Sequence, residues 1–362
     1  MNRALELARK GTGLASPNPL VGAVIVKDGR VIGEGFHQYD LRDHAEIVAL
    51  KSATPNAHGA TLYANLEPCC KTGRTGPCTE AILRAKIARV VAAMPDPNPA
   101  VSGRGFAQLR AAGVNVETGI CEAETKRLNE AFACWITQKR AFVTLKSALT
   151  LDGQLALPQS NKRKSTTWIT SEESRAEVHL MRHASDALIT GIGTVLADDP
   201  LLTDRSGLPR RRKLLRVILD SRLRIPLKSK LVKTADDDVL LVTTQSKKNS
   251  RARALEKAGV DVFHVRSHRG RPDLKAVLRE LGKRDILSAI LEAGSTLNGA
   301  AIAAGVVDKM FLFYAPKFAG CSDVPFALAK RLALPTLENI SFHRFGPDFA
   351  IEGYLTNVYR NR

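Results

Sequence analysis

Hydrophobic and polar positions along the first 140 residues switch repeatedly between a period of two and a period near 3.6. Residues 5–10 carry a helical pattern that Gly11 stops. Runs at 21–26 and 31–35 are β-rich and flank Lys27-Asp28-Gly29-Arg30, whose Asp-Gly suits a two-residue hairpin. Residues 44–53 read as a helix, 61–65 as a buried strand, 78–85 as a helix and 88–93 as a strand. A helix over 106–112 ends at Gly113, a strand follows at 114–117, and 122–137 reads as one long helix. A sheet covered by helices, an α/β layered domain, is expected.

That last helix runs out near Gln138-Lys139-Arg140, and a second series opens at Phe142. Strand-like runs at 142–145, 187–190, 214–219, 239–242, 260–264 and 286–291 are interrupted by helical patterns at 171–182, 250–258 and 273–281. Strands alternating with helices need crossover connections, so a second α/β domain with mostly parallel strands is expected. A chain of 362 residues has room for two such domains.

Composition narrows the function. No apolar run approaches the ~18 residues of a membrane span. Residues 1–13 are charged and amphipathic, unlike the apolar block of a signal peptide. A cytoplasmic protein with no membrane partner is expected. Of the six cysteines, Cys69, Cys70 and Cys78 are clustered while Cys121, Cys134 and Cys321 are scattered, which is no disulfide framework. The cluster points to metal or redox work, and the scattered three to buried small hydrophobes. A net charge of +18 favours phosphorylated or polyanionic partners. The runs Lys162-Arg163-Lys164 and Arg210-Arg211-Arg212-Lys213 lack interleaved aromatics on which bases stack, so they read as solvated loops.

The sharpest chemical signal is Asp43-His44-Ala45-Glu46, followed by Leu66-Glu67-Pro68-Cys69-Cys70 and Gly73-Arg74-Thr75-Gly76-Pro77-Cys78. One imidazole and two thiolates leave zinc a fourth position for water, which a catalytic site needs and a structural site lacks. Glu46, just past His44 near the start of the same helix, is placed to take a proton from that water and return it to a ring nitrogen and the leaving amine. Both cysteines precede apparent helix starts, where free N–H groups favour thiolate. The pattern follows the His-x-Glu and Pro-Cys signature of zinc deaminases, with eight residues between the two cysteines where that signature has two. A lone His-Ala-Glu is more simply a helix cap; the added Pro-Cys and third ligand favour the metal. Cys70 competes as a ligand, but its spacing to Cys78 suits the Pro-Cys turn less well, and it is read as a bystander.

At these residues the chain resembles the bifunctional deaminase/reductases of riboflavin biosynthesis, over essentially its whole length. Further motifs that carry the resemblance are Pro17-Asn18-Pro19-Leu20-Val21-Gly22, Asp96-Pro97-Asn98-Pro99, Gly103-Arg104-Gly105, Leu151-Asp152-Gly153, Trp168-Ile169-Thr170-Ser171, Gly193-Thr194-Val195-Leu196-Ala197-Asp198-Asp199-Pro200 and Glu292-Ala293-Gly294. The resemblance implies a cytidine-deaminase-like α/β/α sandwich with a mixed sheet over 1–140, and a dihydrofolate-reductase-like α/β domain over 141–362. It implies one zinc ion per chain on His44, Cys69 and Cys78, with Glu46 catalytic, and NADPH in the second domain. The implied substrate is a phosphorylated pyrimidine, first deaminated and then reduced on its ribosyl group. Asn18, His37, Arg74 and the Asp96/Asn98 turn are implied to face the deaminase substrate. Cys70-Lys71-Thr72 departs from the usual Ser-His, whose His helps bind phosphate, and Lys71 is expected to supply a replacement cation. Tyr39-Asp40-Leu41-Arg42-Asp43 also departs from the usual Gly-Glu before the zinc histidine.

Read from residues alone, the second half offers Glu292-Ala293-Gly294-Ser295-Thr296-Leu297-Asn298-Gly299 after a strand, a Gly-rich turn whose N–H groups suit phosphate. It is no Walker loop, and Gly191-Ile192-Gly193 is no full dinucleotide fingerprint because Leu196 takes the third glycine's place. Turns needing positive φ explain such glycines as well. The resemblance adds NADP contacts at Ala148, Trp168, Thr194, Asp198, Ser221, Gly294, Ser295, Thr296, Leu297, Asn298, Gly299 and Ala300. It adds substrate contacts at Thr166, Arg182, Leu202, Arg205 and Glu292, with the arginines as forks for phosphate. Lys146 is read as polarising the reacting sugar carbon. A homo-oligomer, dimer or tetramer, is implied.

Two rivals compete. A deaminase of tRNA or single-stranded DNA with an accessory phosphate-binding domain predicts a short Cys-x-x-Cys and basic residues interleaved with aromatics. Neither is present, and no nucleic-acid partner is expected. A non-catalytic zinc module conflicts with the intact Glu46 and the three-ligand count.

Overall fold

The Asp-Gly turn forms as its residues demand, with Asp28 and Gly29 at φ of 49° and 73°, the left-handed pair that a two-residue hairpin uses. It joins β1 (Gly22–Lys27) to β2 (Arg30–Phe36). The computed structural model describes residues 1–53, 55–156, 168–268, 270–320, 324–329 and 335–360. Contacts divide the chain into two units: Met1–Lys139 with Pro209–Arg212, and Arg140–Leu208 with Lys213–Arg362.

In the first unit β1 pairs antiparallel with β2 and with β3 (Thr61–Ala64), and β4 (Arg89–Ala92) and β5 (Asn115–Thr118) continue in parallel. The order is β2-β1-β3-β4-β5, a mixed sheet. Its helices include α1 (Asn2–Arg9), α2 (Ala45–Ala53), α3 (Cys78–Arg84) and α4 (Arg104–Ala111). Close seating of α2 on β2 depends on two glycines. A Cβ on Gly33 would lie 2.3 Å from Ala49 O, and one on Gly35 would lie 2.5 Å from Ala45 O. The helix that carries Glu46 therefore sits against the sheet with no side chain between.

The long helix expected over 122–137 is in fact two, α5 (Glu122–Leu128) and α6 (Glu130–Gln138). Asn129 breaks it, at φ −113° and ψ 17°. Its buried amide accepts from Leu20 N at 2.8 Å and donates to Leu20 O at 3.1 Å. Satisfying a distant backbone pair takes precedence over continuing the helix.

The second unit is built on β6 (Phe142–Thr150), β7 (Ala187–Gly191), β8 (Leu215–Leu219), β9 (Val239–Thr243), β10 (Asp261–His264), the ribbon β11 (Ser267–His268) and β12 (Arg271–Pro272), β13 (Ser288–Glu292), β14 (Lys309–Ala315), β15 (Glu338–Phe345) and β16 (Asp348–Tyr354). The main sheet runs β10-β9-β8-β7-β13-β6-β14-β16-β15. It is parallel from β10 through β14 and closes with an antiparallel hairpin. Helices α7 (Glu172–Ala184), α8 (Ile192–Asp198), α9 (Lys230–Lys233), α10 (Ser250–Lys257), α11 (Leu274–Lys283) and α12 (Ser295–Ala303) accompany it. Ile189, Val217 and Leu240 pack on one face with Leu281 and Ala301, while Leu188, Ile218 and Leu241 pack on the other with Val195, Val232 and Leu255. Burial on both faces is why these strands read as continuous apolar runs. Strands β14 to β16 lay outside the expected runs; edge strand β15 is largely exposed, so it carries no strong apolar signature. Among the described residues no helix is long and apolar enough to cross a membrane.

Candidate active sites

His44 lies directly before α2, and Cys78 is the first residue of α3. Cys69 is in the loop after β3 and not at a helix start, which corrects that part of the sequence reading. The backbone N–H that reaches its sulfur belongs to Cys78, at 3.4 Å. His44 Nδ1 stands 3.3 Å from Cys78 Sγ and 3.4 Å from Cys69 Sγ, and the three ligand atoms lie within 4.8 Å of one another. Tetrahedral zinc with its usual bond lengths separates nitrogen and sulfur ligands by about 3.6 Å, so this donor set fits the ion. Cys69 is pulled well below the ordinary thiol range, first by its hydrogen bond with Cys78 and then by His44. One thiolate thus forms readily, as a metal ligand must.

Glu46 is 3% exposed. Burial, its largest influence, pushes its carboxyl up to about 7, a suitable value for a group that both accepts and returns a proton. His37 stacks edge-on against His44, with ring centres 5.3 Å apart. Its Nδ1 is 2.8 Å from Asp43 O, which only accepts, so Nδ1 carries the hydrogen and Nε2 accepts from Asn18 Nδ2 at 2.9 Å. Burial lowers the pKa of His37 and favours this neutral form. Lys71 and Arg74 are exposed; Arg74 donates to Tyr39 O at 3.2 Å and lies 4.1 Å from that ring's centre.

Two groups that hold this site were not singled out from sequence. Asn65, fully buried, accepts from Gly22 N at 2.8 Å and donates to Leu20 O at 2.9 Å, so with Asn129 it pins the segment after Asn18. Glu67, also buried, accepts from the backbone N–H groups of Asp96, Gly103, Gly105 and Phe106 at 2.8–3.2 Å. It caps α4 and fixes the Asp96 turn, where Asp96 accepts from Asn98 N at 2.7 Å. The quartet Leu66-Glu67-Pro68-Cys69 held the signal, but a carboxylate beside a ligand does not disclose four backbone donors. Glu67→Gln removes the charge and sets an amide against those donors; a loss of about 2–3 kcal/mol is expected, measured by urea unfolding.

In the second unit Glu292 ends β13 directly opposite Lys146 of β6. Arg182 forks onto it, Nε to Oε1 at 2.6 Å and a terminal nitrogen to Oε2 at 2.9 Å, and also donates to Thr203 O at 3.0 Å. Lys146 Nζ is 3.9 Å from the same carboxylate. Arg205 is exposed and reaches Thr203 Oγ1 at 3.3 Å, while Leu202 is buried at φ 55°. Ala148 lies late in β6, Thr194 and Asp198 follow β7, Ser221 follows β8, and 294–300 follow β13. Ala148, Ser221, Gly294 and the starts of α8 and α12 thus lie near the carboxyl ends of adjacent parallel strands, where open α/β sheets bind ligands, whereas Asp198 is the last residue of α8. Trp168 is 60% exposed with Arg175 over its ring. Thr166, Lys162-Arg163-Lys164 and Cys321 lie outside the described residues.

The glycines here are not turn formers. Gly294, N-cap of α12, has φ −83°, and a Cβ added to it or to Gly193 meets nothing within 4 Å among the described residues. Neither strain nor packing among the described residues demands glycine at these two positions. Gly299 differs: a Cβ there would lie 2.1 Å from Leu328 O, so it serves close packing. Asn298 is likewise turned inward, donating to Phe326 O at 2.9 Å and Ser147 Oγ at 3.3 Å.

A zinc-type deaminase joined to an α/β reductase is the class that these two units define. Residues 1–94 match the cytidine and deoxycytidylate deaminase zinc-binding region, and residues 141–351 match the RibD C-terminal domain. The riboflavin biosynthesis protein RibD of Aquifex aeolicus is 42% identical over 320 residues, 88% of this chain and 87% of that protein. Its namesake in Escherichia coli K12 is 39% identical over 97% of each. Acinetobacter baumannii RibD, form 1, superposes with a TM-score of 0.86 at 36% identity over 98% of both chains. The Thermotoga maritima diaminohydroxyphosphoribosylaminopyrimidine deaminase/5-amino-6-(5-phosphoribosylamino)uracil reductase gives 0.84 at 37% identity, over 98% of this chain and 97% of that one. The chain belongs to the RibD family, the bifunctional deaminase/reductases of riboflavin biosynthesis. Similarity across both units leaves no second domain unemployed, which sets the nucleic-acid deaminase aside.

Proposed function

We propose that residues 1–140 hydrolyse the 2-amino group of 2,5-diamino-6-(5-phosphoribosylamino)pyrimidin-4(3H)-one. Residues 141–362 then reduce the ribosyl side chain with NADPH, giving 5-amino-6-(5-phosphoribitylamino)uracil. What carries the first half is His44 Nδ1 set between two sulfurs, with buried Glu46 on the following helix. Zinc bound by His44, Cys69 and Cys78 supplies the fall in the pKa of water that makes hydroxide available near neutrality. Glu46 takes a proton from the attacking water and passes it to a ring nitrogen, then takes the remaining proton of the newly added hydroxyl and delivers it to the departing amine as the C–N bond breaks and the carbonyl forms. Asn18 and His37 orient the pyrimidine, and Lys71 and Arg74 receive the phosphate, with the Asp96/Asn98 turn closing the site.

In the second unit, the nicotinamide cofactor supplies the reducing equivalents. Gly294 and the first turns of α12, with Ser295, Thr296, Leu297 and Ala300, receive its phosphates, and Asn298 and Gly299 pack that helix from behind. Ala148, Thr194, Asp198 and Ser221 line the neighbouring strand ends, and Trp168 packs on the cofactor. Arg182, held by Glu292, binds the ribose phosphate with Arg205, Leu202 and Thr166 completing the pocket. Lys146 polarises the reacting sugar carbon. The protein works in the cytoplasm, where its metal-binding thiols stay reduced, and as a homo-oligomer on the resemblance stated above.

A two-stage assay tests this, following ammonia release from the diaminopyrimidine and then NADPH consumption. Lys146→Met is expected to lower the second rate about 10²-fold or more and leave the first unchanged. Equal loss of both, or of neither, removes Lys146 from the reduction.

A further inference from the structure

The basic run at 210–212 is not a solvated loop. Pro209–Arg212 belongs to the first unit, although it lies far beyond that unit's other residues in the sequence. Arg211 N–H donates to Gly13 O at 2.8 Å. Its side chain donates to Asp40 Oδ1 at 2.8 Å and to Ser16 O at 3.1 Å, and Arg212 donates to Ser16 Oγ at 2.9 Å. The Arg211 guanidinium lies 4.0 Å from the centre of the Tyr39 ring, the same ring that Arg74 approaches to 4.1 Å. The Arg211 side chain is only 21% exposed.

We infer that Arg211 is a positioning residue of the deaminase site, which clamps Ser16 and Tyr39 and thereby sets Asn18 and Arg74 for the substrate. It rests on the proposed roles of those two residues. The segment that carries Asn18 is held at both ends. Beyond it, Asn65 and Asn129 grip Leu20. Before it, Arg211 and Arg212 grip Ser16, while Asn18 N–H closes a turn onto Ala15 O at 2.9 Å. Asn18 is therefore presented to His37 from a short span anchored twice. Tyr39 is fixed in the same way: its N–H donates to Leu14 O at 3.1 Å, and its ring lies under Arg211. Arg74 then has a fixed aromatic face to rest on, 4.1 Å from its guanidinium.

A guanidinium is needed for this. Its planar fork bonds Asp40 and Ser16 at once while stacking on the ring, whereas an ammonium is a single point charge on a flexible stem. Asp40 and the π face offset the charge where two arginines share one ring. Arg211 acts through Asn18 and Tyr39 and not on the reacting atoms, so its loss appears in substrate binding.

The test uses the full chain, assaying ammonia release and NADPH consumption separately, the latter with the deaminated intermediate supplied. Arg211→Ala is expected to raise KM for deamination about 20-fold, with kcat, zinc content and both reduction constants near parental values. Arg211→Lys is expected to behave as Arg211→Ala does; recovery of parental KM by the lysine shows that charge alone acts, and overturns the inference. A fall in both activities with a lower unfolding midpoint assigns Arg211 to folding, and equally overturns it. Asn18→Ala serves as the control. If it leaves KM unchanged, the proposed role of Asn18 fails, and the inference with it. If it raises KM, adding Arg211→Ala should raise KM by less than the product of the two single effects, because both act on one contact. Full multiplication of the effects means that Arg211 works independently of Asn18, and the inference is lost while the role of Asn18 stands.

Discussion

Glu46→Gln in the full chain lowers the rate of ammonia release about 10³-fold and leaves zinc bound and the NADPH-dependent stage intact. The expectation follows from where the carboxyl sits. It is buried, at 3% exposure, near the start of α2 and two residues past the ligand His44. Burial raises its pKa to about 7; the Cys69 thiolate pushes the same way, and His44 opposes. Glutamine keeps the volume, so the close seat of α2 on Gly33 and Gly35 is undisturbed. What it cannot do is take a proton from water and hand it on. Metal analysis separates this from a failure of the site: His44→Ala should lose zinc and ammonia release together, whereas Glu46→Gln should lose only the second. A glutamine variant that retains zinc and releases ammonia within tenfold of the parent places the proton transfer on another group.

How much of this was readable beforehand depended on whether a role belongs to a residue or to its neighbours. The grouping of His44, Cys69 and Cys78 was legible because metal binding demands particular atoms, and those residue types stand at telling separations. The parallel strands were legible because burial on both faces leaves continuous apolar runs such as 239–243. Asn65, Asn129 and Glu67 were not, since their work is to satisfy backbone groups brought near only by folding. The same blindness made one helix of α5 and α6. Arg211 and Arg212 were misread for a related reason: a run of cations looks solvated until carbonyls and a ring some 170–200 residues earlier fold against it. Glycines 193 and 294 gained meaning only once their φ values and surrounding space were known.

Glu292→Gln should cost the second unit about 3 kcal/mol near neutral pH and lower the reduction rate about 10²-fold, with deamination unchanged. In the native chain one carboxylate serves two cations, Arg182 through a two-point fork and Lys146 at 3.9 Å, and all three side chains are at most 15% exposed. Burial opposes the charge on Glu292, yet Lys146 and the Arg182 hydrogen bond hold its pKa below the usual range. Burial lowers the pKa of Lys146; Glu292 resists that fall, and Arg182 adds to it. Removing the carboxylate charge therefore leaves two buried cations facing each other, and the ammonium gives up its proton more easily. The sign of the pH dependence follows. An acid whose folded pKa is depressed contributes stability above its unfolded value and loses it as pH falls, so parent and variant converge in acid. The deficit narrows again in alkali, where Lys146 of the variant becomes neutral first and its repulsion with Arg182 ends, although Arg182 stays charged without its fork. Urea unfolding of both chains across a pH series should show the deficit largest between those limits. For reduction, the roles proposed above mean that Arg182 without its fork no longer meets the phosphate in a fixed orientation, and that the reacting carbon drifts from Lys146. A deficit constant across the whole pH range would mean that the ion pairs at Glu292 do not set the stability here. Parental reduction by the glutamine variant would mean that Arg182 needs no carboxylate to bind phosphate.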